Sequence, residues 1–293
     1  MASPTRAKKR LGHFLLELRT QAGHALSAPA DELKASESTV SRYESGHVLP
    51  VWSTVLALLG FYGASDAARE LAVKLWEQAR DEPKPVRLPS STPKSFRQML
   101  NAEREANGIR AIELSVVHGL LQTEAYTQAL FAAASRFHDQ EIPVDGDIAV
   151  RKARQEVLYD SNPLNLHMVF DEAVIRRKVG SREVQRDQLE HLLRVAALPH
   201  VTVQVMPFSA GAYGTMSGAV TIVDFPDKGE TPGVYLEYPA GGAWVENEAD
   251  VQRFTTAFED AVLAALSPDD SAHLIKQQMR ALADDDEQEL AEE

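Results

Sequence analysis

The chain has 293 residues, enough for two domains at roughly 100–200 residues each, and its 44% hydrophobic and 25% charged content excludes a disordered or fibrous protein. It has no cysteine, which rules out disulfide scaffolds, thiolate zinc sites and thiol nucleophiles. The net charge of −13 argues against a general nucleic-acid coat, but residues 1–80 carry +2 and the remainder −15, so any contact with phosphate belongs to the head.

From Lys9 to Ala79 the pattern is helical, with Leu11, Phe14, Leu15 and Leu18 spaced as one buried stripe. Gly23 interrupts it, Ser36 and Gly46 bracket a short helix, Pro50 breaks the chain, and Val55, Leu58, Leu59 and Phe61 make a further apolar run. Four prolines between Asp81 and Ser95 read as a stiff linker. The expected organisation is a head over residues 1–80, a Pro-rich linker over 81–95, an α+β domain over 96–283 and a solvated acidic tail over 284–293, where seven of ten residues are acids. In the second domain Phe96 to Asn107, Thr123 to Ser135, Ile148 to Tyr159 and Ser181 to Ala197 read as helices. Residues 164–170, 201–208, 219–225 and 233–239 read as strands of a small, mostly antiparallel sheet. Asn247 and Ser267 can cap the last two helices. No run approaches the ~18 apolar residues of a membrane span, and the opening MASPTRAKKR lacks a signal-peptide core, so a cytoplasmic protein with no membrane partner is expected.

The segment Ser36 to Gly46 carries the functional signal. Wound at 100° per residue, it puts Val40, Tyr43 and Glu44 on one face and Glu37, Ser38, Ser41, Arg42 and Ser45 on the other, where short polar groups suit a groove. A solvated polar face has the same pattern, and periodicity alone does not separate the two. The run STVSRYESG, after ADELKASE and before Pro50 and a Leu-rich helix, resembles the XRE or Cro/repressor-type helix-turn-helix domain of five helices over roughly residues 10–63. That resemblance implies double-stranded DNA as partner, Ala30 and Leu33 as packing residues of a bracing helix, and Val40 and Tyr43 as those of the reading helix. It places Glu37, Ser38 and Arg42 against base edges and Ser41 and Ser45 nearer the backbone, with a homodimer meeting a two-fold site. Arg42 would fork onto guanine, worth ~1–3 kcal/mol of discrimination. The chain departs from the pattern at Ala25-Leu26, which lack a cap, at Pro29, which shortens the bracing helix, and at Lys34, which replaces a turn glycine. Glu37 stands where glutamine is common, and His47-Val48-Leu49 follow where arginines are frequent. Arg6, Lys8, Lys9 and Arg10 form a basic N-terminal segment that would add phosphate contacts if it acts as an arm.

The pieces LSVVHGLLQTEAYTQAL, RKARQEVL, MVFDEAVIRRKVGS and QLEHLLRVAALPHVTVQVMPFSAGAYGTMSGAVTIVDFP resemble the C-terminal domain of WhiJ-like, antitoxin-like actinobacterial regulators. The resemblance implies transcription control and a small acidic BldB-like partner. An antitoxin-like module that sequesters such a partner, with weak or no DNA binding, is the competing expectation. Read without the family, this domain offers no metal-ligand spacing among its histidines and no nucleophile, base and orienter together, so no enzyme activity and no cofactor is expected. Asp171-Glu172 at a strand end read as helix N-terminal charge more readily than as a catalytic pair. The Gly-rich loop 209–218 reads as a connection or a pocket rim, and Tyr235, Tyr238 and Trp244 as packing or an interface anchor.

Overall fold

The computed structural model describes residues 6–80, 92–134, 144–160, 163–214, 216–226, 230–238 and 241–292, with side chains over those spans apart from Arg6, 144–147, 149–150 and 284–292. Its contacts divide into two compact units, residues 1–85 and 86–293. Most of the Pro-rich segment expected as a linker lies outside the described residues.

The head is five helices: α1 (Arg6–Gln21), α2 (Ser27–Glu32), α3 (Glu37–Glu44), α4 (Trp52–Phe61) and α5 (Asp66–Arg80). The apolar stripe read from the sequence becomes its core, where Leu11 and Leu15 of α1 pack with Val55, Leu58 and Leu59 of α4 and Ala72 of α5. The Trp76 indole N–H donates to the Pro50 carbonyl at 2.8 Å, tying α5 to the break before α4. Because α1 already begins at Arg6, Lys8, Lys9 and Arg10 belong to a helix and do not form a free arm. Gly12 brings α1 against the end of α3: a Cβ there would lie 2.5–2.6 Å from the carbonyl oxygens of Glu44 and Tyr43, so only hydrogen fits.

The second unit starts with α6 (Lys94–Glu105) and strand β1 (Gly108–Glu113), then α7 (Glu124–Ala134) and α8 (Val144–Gln155). Strand β2 (Asn165–Asp171), α9 (Glu172–Arg176), α10 (Arg182–Ala196) and β3 (Val201–Met206) follow. Strands β4 (Val220–Asp224), β5 (Gly233–Tyr238) and β6 (Gly241–Val245) lead to α11 (Glu248–Ala264) and α12 (Pro268–Glu292). The caps are those the sequence offers: Asn247 accepts from the Asp250 N–H and Ser267 from the Asp270 N–H. The helix α12 runs on through the acidic segment expected as a tail, whose side chains lie outside the description.

The six strands form one mixed sheet in the order β3-β2-β1-β4-β5-β6, with β1, β2 and β3 parallel and the other three ladders antiparallel. Two strands are absent from the sequence reading. GIRAIE of β1 opens on glycine and lacks alternation because it is the central strand, covered on both faces, with Ile109 and Ala111 in one core and Ile112 in the other. GGAWV of β6 reads as a breaker, yet its glycines make room for aromatic rings: a Cβ on Gly242 would meet the Tyr235 ring and hydroxyl at 2.3–2.5 Å. One face of the sheet packs under α7, α9, α10 and α12, the other under α11.

Buried charge in this unit is paired or neutralised. Arg154 grips Glu103 through two bonds of 2.7 Å. One register step beyond the Ile112–Val220–Leu236 row, Glu113 and Glu237 occupy the same sheet face. Burial, with the Glu237 charge, pushes the Glu113 carboxyl from its ordinary 4.5 up to about 8, and burial raises Glu237 as well. A carboxyl that holds its proton more tightly when folded stabilises fully below its unfolded value. That contribution is lost as pH rises through the folded one. The denaturation midpoint of this unit should therefore fall as pH rises from 4.5 to about 8, and Glu113→Gln should flatten the fall, as followed by urea titrations across that window.

Candidate nucleic-acid interface

The helix α3 begins where its residues stop competing with it. Ser36 sits in extended backbone, and its hydroxyl accepts from the Thr39 N–H at 3.2 Å while it also bonds to the Ser38 and Thr39 hydroxyls at 2.8 and 2.9 Å. At the other end the Gly46 N–H donates to Tyr43 and the Val48 N–H to Arg42, with Gly46 at φ +73°, so the last carbonyls are satisfied by a left-handed turn. Over its eight residues Val40 and Glu44 are buried and Tyr43 is half-buried, while Glu37, Ser38, Ser41 and Arg42, with Ser45 just beyond, are exposed. Residues 38, 41, 42 and 45 make one straight polar stripe.

The preceding helix α2 is six residues long. Leu26 stands at its cap without a side-chain hydrogen bond, and the buried Pro29 occupies its third position, where a backbone N–H has no partner to lose. It turns into α3 through Lys34, the one described non-glycine residue at positive φ, +50°. The Ala35 N–H reaches back to the Ala30 carbonyl at 2.9 Å across that turn. The lysine thus fills a position that suits glycine and stays exposed beside the stripe. Of the residues expected at the interface, Glu37, Ser38, Ser41, Arg42, Ser45 and Lys34 lie together on the exposed side of this motif. Arg10 is on α1, half-buried, with its Nε closed off from solvent.

What aims the stripe is a pair that sequence reasoning missed. The Arg19 guanidinium in the last turn of α1 donates Nε to Glu44 Oε1 at 2.6 Å and Nη2 to Oε2 at 2.9 Å, and Nη1 donates to the His24 carbonyl at 2.8 Å. Their side chains are only 14% and 7% exposed. The hydrogen bond to Glu44 raises the Arg19 pKa, against burial, so the guanidinium stays charged. The signal that could have found it is an acid on the apolar face of one helix and a lone base closing another.

The second unit's candidate groups serve its own fold. Asp171 Oδ1 accepts from the Ala173 N–H at 2.8 Å and Oδ2 from the Tyr213 hydroxyl at 2.9 Å, while Glu172 accepts from the Phe208 N–H and from Arg176. The Gly-rich loop is thereby tied to the start of α9 through Tyr213. Tyr235 packs against Phe96, Met99, Leu100 and Trp244, whereas Tyr238 is exposed. Burial, helped by Arg154 and Arg151, lowers His118 to about 3 and leaves it neutral. Among the described residues no group of three or more His, Asp or Glu is arranged to hold a metal ion, and no helix is long and apolar enough to cross a membrane.

Residues 10–72 match a family model described as a helix-turn-helix domain, and residues 96–277 match one described as a domain of unknown function, DUF5753. No curated protein and no solved structure matches the chain. Glu44→Ala, which strands a buried guanidinium, should cost ~3–5 kcal/mol in the opening energy of α1 and α3, read by amide hydrogen exchange in the full chain. Lys34→Gly should instead raise the head's stability by up to ~1 kcal/mol, because the turn loses its strained side chain.

Proposed function

We propose that this chain, which belongs to the family of the domain of unknown function DUF5753 and carries a helix-turn-helix domain ahead of it, is a sequence-specific DNA-binding transcriptional regulator. The observation that carries the reading is the polar stripe of α3. Its side chains are exposed and short, so the helix can sink into a major groove, and Arg42 is the long member that reaches guanine O6 and N7. Ser38 stands near the N-terminus, where a helix approaches base edges, and the amides there attract phosphate. Lys34 at the turn adds a cation for the backbone of the duplex.

The protein acts as a dimer in this reading, since a helix of eight residues covers few base pairs and two copies on half-sites one turn apart multiply the discrimination. The α+β unit, with −15 outside the head, is not a DNA surface; it supplies dimerisation and control, as a binding module without a catalytic role. A second reading is favoured by the uncapped six-residue α2 and by Lys34 in a glycine position: a head that holds DNA weakly, on a body that sequesters a small acidic BldB-like protein in the manner of an antitoxin. The two separate cleanly. A DNA regulator must lose affinity steeply as salt rises, with a logarithmic slope of about −0.9 per phosphate neutralised, whereas a sequestering protein binds its partner and leaves DNA unbound. Arg42→Ala should relax preference at one base pair by ~1–3 kcal/mol in a selection from randomised duplexes, and an equal loss on every sequence would contradict the role given to it.

A further inference from the structure

We propose that the second unit binds a small zwitterion, a free α-amino acid by chemical class, at the carboxyl end of strand β1, with its ammonium between Glu113 and Glu237 and its carboxylate on His118 and Arg154. The site lies within this unit and does not depend on the DNA-binding reading. Strand β1 is where the parallel strands meet the antiparallel ones, paired with β2 on one side and β4 on the other. The space beyond the carboxyl ends of parallel strands is where open sheets take ligands. Glu113 ends β1, and the loop that follows carries His118. Side chains hold that loop in place. The Val117 and Leu121 carbonyls accept from the Gln122 and Gln188 amides at 2.6 and 2.7 Å, the Gln122 carbonyl accepts from Gln155 at 2.6 Å, and the Thr123 N–H donates to Gln188 at 2.7 Å. Gly119 brings the loop against two guanidiniums of α8, since a Cβ there would lie 3.0 Å from Arg151 Nη1 and 3.4 Å from Arg154 Nη1. A loop fixed by this many side chains presents its own groups in one geometry.

Three polar side chains here are more than nine-tenths buried: His118, Arg154 and Tyr235 are 6%, 8% and 4% exposed. Among the described residues no hydrogen bond engages His118 Nε2, Arg154 Nη1 or the Tyr235 hydroxyl, and none of these atoms is closed off from solvent. Polar atoms held this deep call for a partner. His118 Nδ1 accepts from the Leu120 N–H at 3.3 Å and the ring is neutral, so its proton sits on Nε2 as a donor. The charges of Arg151 and Arg154 act on both His118 and Glu237, and Glu237 acts in turn on Arg154, which sets the donors beside the acids. On the acid side the register, carried one step further, places Ala219 between Glu113 and Glu237. The two backbones are two strand spacings apart, roughly 9–10 Å, and the small alanine leaves a gap between the carboxyls. Neither carboxyl has a hydrogen bond or an ion pair among the described residues. Burial raises both, a cost that an ammonium between them would relieve. With Glu113 holding its proton, Arg151 and Arg154 face the carboxylates of Glu103 and Glu237, so the cluster is balanced. A ligand with both charges and no net charge keeps that balance, whereas a single ion breaks it.

The test is isothermal titration calorimetry of the full chain with each of the standard L-amino acids at concentrations up to about 10 mM. The site requires that at least one of them bind saturably. For that amino acid, its carboxamide and its deaminated acid should each bind about tenfold more weakly or worse, because each lacks one of the two charges. Glu237→Gln, at an exposed position where folding is not at stake, should weaken the amino acid by about tenfold and leave the carboxamide and the intact amino acid closer in affinity to the deaminated acid. Tyr235→Phe and His118→Gln, each kept only if its melting curve remains cooperative, should weaken the amino acid as well. Wild-type protein that binds none of the amino acids would overturn the proposal. So would binding that Glu237→Gln leaves unchanged, or a carboxamide or deaminated acid that binds as tightly as the amino acid itself. None of these results touches the DNA reading, which is decided by the salt series on duplex DNA.

Discussion

The bidentate pair between Arg19 and Glu44 sets the geometry on which the head depends. It joins the last turn of α1 to the last turn of α3, two segments that are separated by 25 residues. A buried pair of this kind adds little stability over apolar side chains of the same volume, but it tolerates only one relative orientation, since both oxygens must meet both nitrogens. Gly12 works with it by setting the distance: the carbonyl oxygens of Tyr43 and Glu44 press where a side chain would be. One contact fixes angle, the other depth. The exposed stripe follows from both, because with Val40 and Glu44 turned inward, residues 38, 41, 42 and 45 have nowhere to point but outward.

Against that tight seat, the helix ahead of it is economical. Six residues, a proline and an uncapped start give α2 little intrinsic helicity, and it persists because Pro29 and Ala30 are buried. The turn through Lys34 carries strain that glycine would relieve. In the proposed DNA-binding reading, that exposed position presents a cation to the duplex. The second unit divides its chemistry differently. Among the described residues, buried Glu103 pairs with Arg154, half-buried Arg110 pairs with Asp224, and buried His118 loses its charge. These are marks of a sheet core that tolerates polar groups when they are partnered, and the acid pair at Asp171 and Glu172 belongs with them.

Much of the fold is legible in the residues one by one. The stripe of Leu11, Phe14, Leu15 and Leu18, the caps at Ser36, Asn247 and Ser267 and the glycine stop at Gly46 are local signals, and each element they predict stands where they place it. Strands β1 and β6 were not legible. In β1 the two-face burial of a central strand erases alternation, and in β6 the Gly242 that looks like part of a turn is space for the Tyr235 ring. The basic residues Lys8, Lys9 and Arg10 read as a loose arm because charge runs at a terminus usually are, and they are helical because Ala7 and Leu11 anchor that turn in the core.

By itself the amino-acid order determined which segment would be a short capped helix with a polar face, and that the first 80 residues carry +2 while the remainder carries −15. Those are properties of neighbours along the chain, and neighbours fix caps, periodicity and charge. Tertiary structure alone decided that Glu44 is a strut to Arg19, that Lys9 is carried beside Gly46, and that Arg10 is half-buried instead of lying with the stripe. Each of these depends on how two helices approach in space, at distances of a few ångströms between residues dozens of positions apart, and no local pattern encodes that.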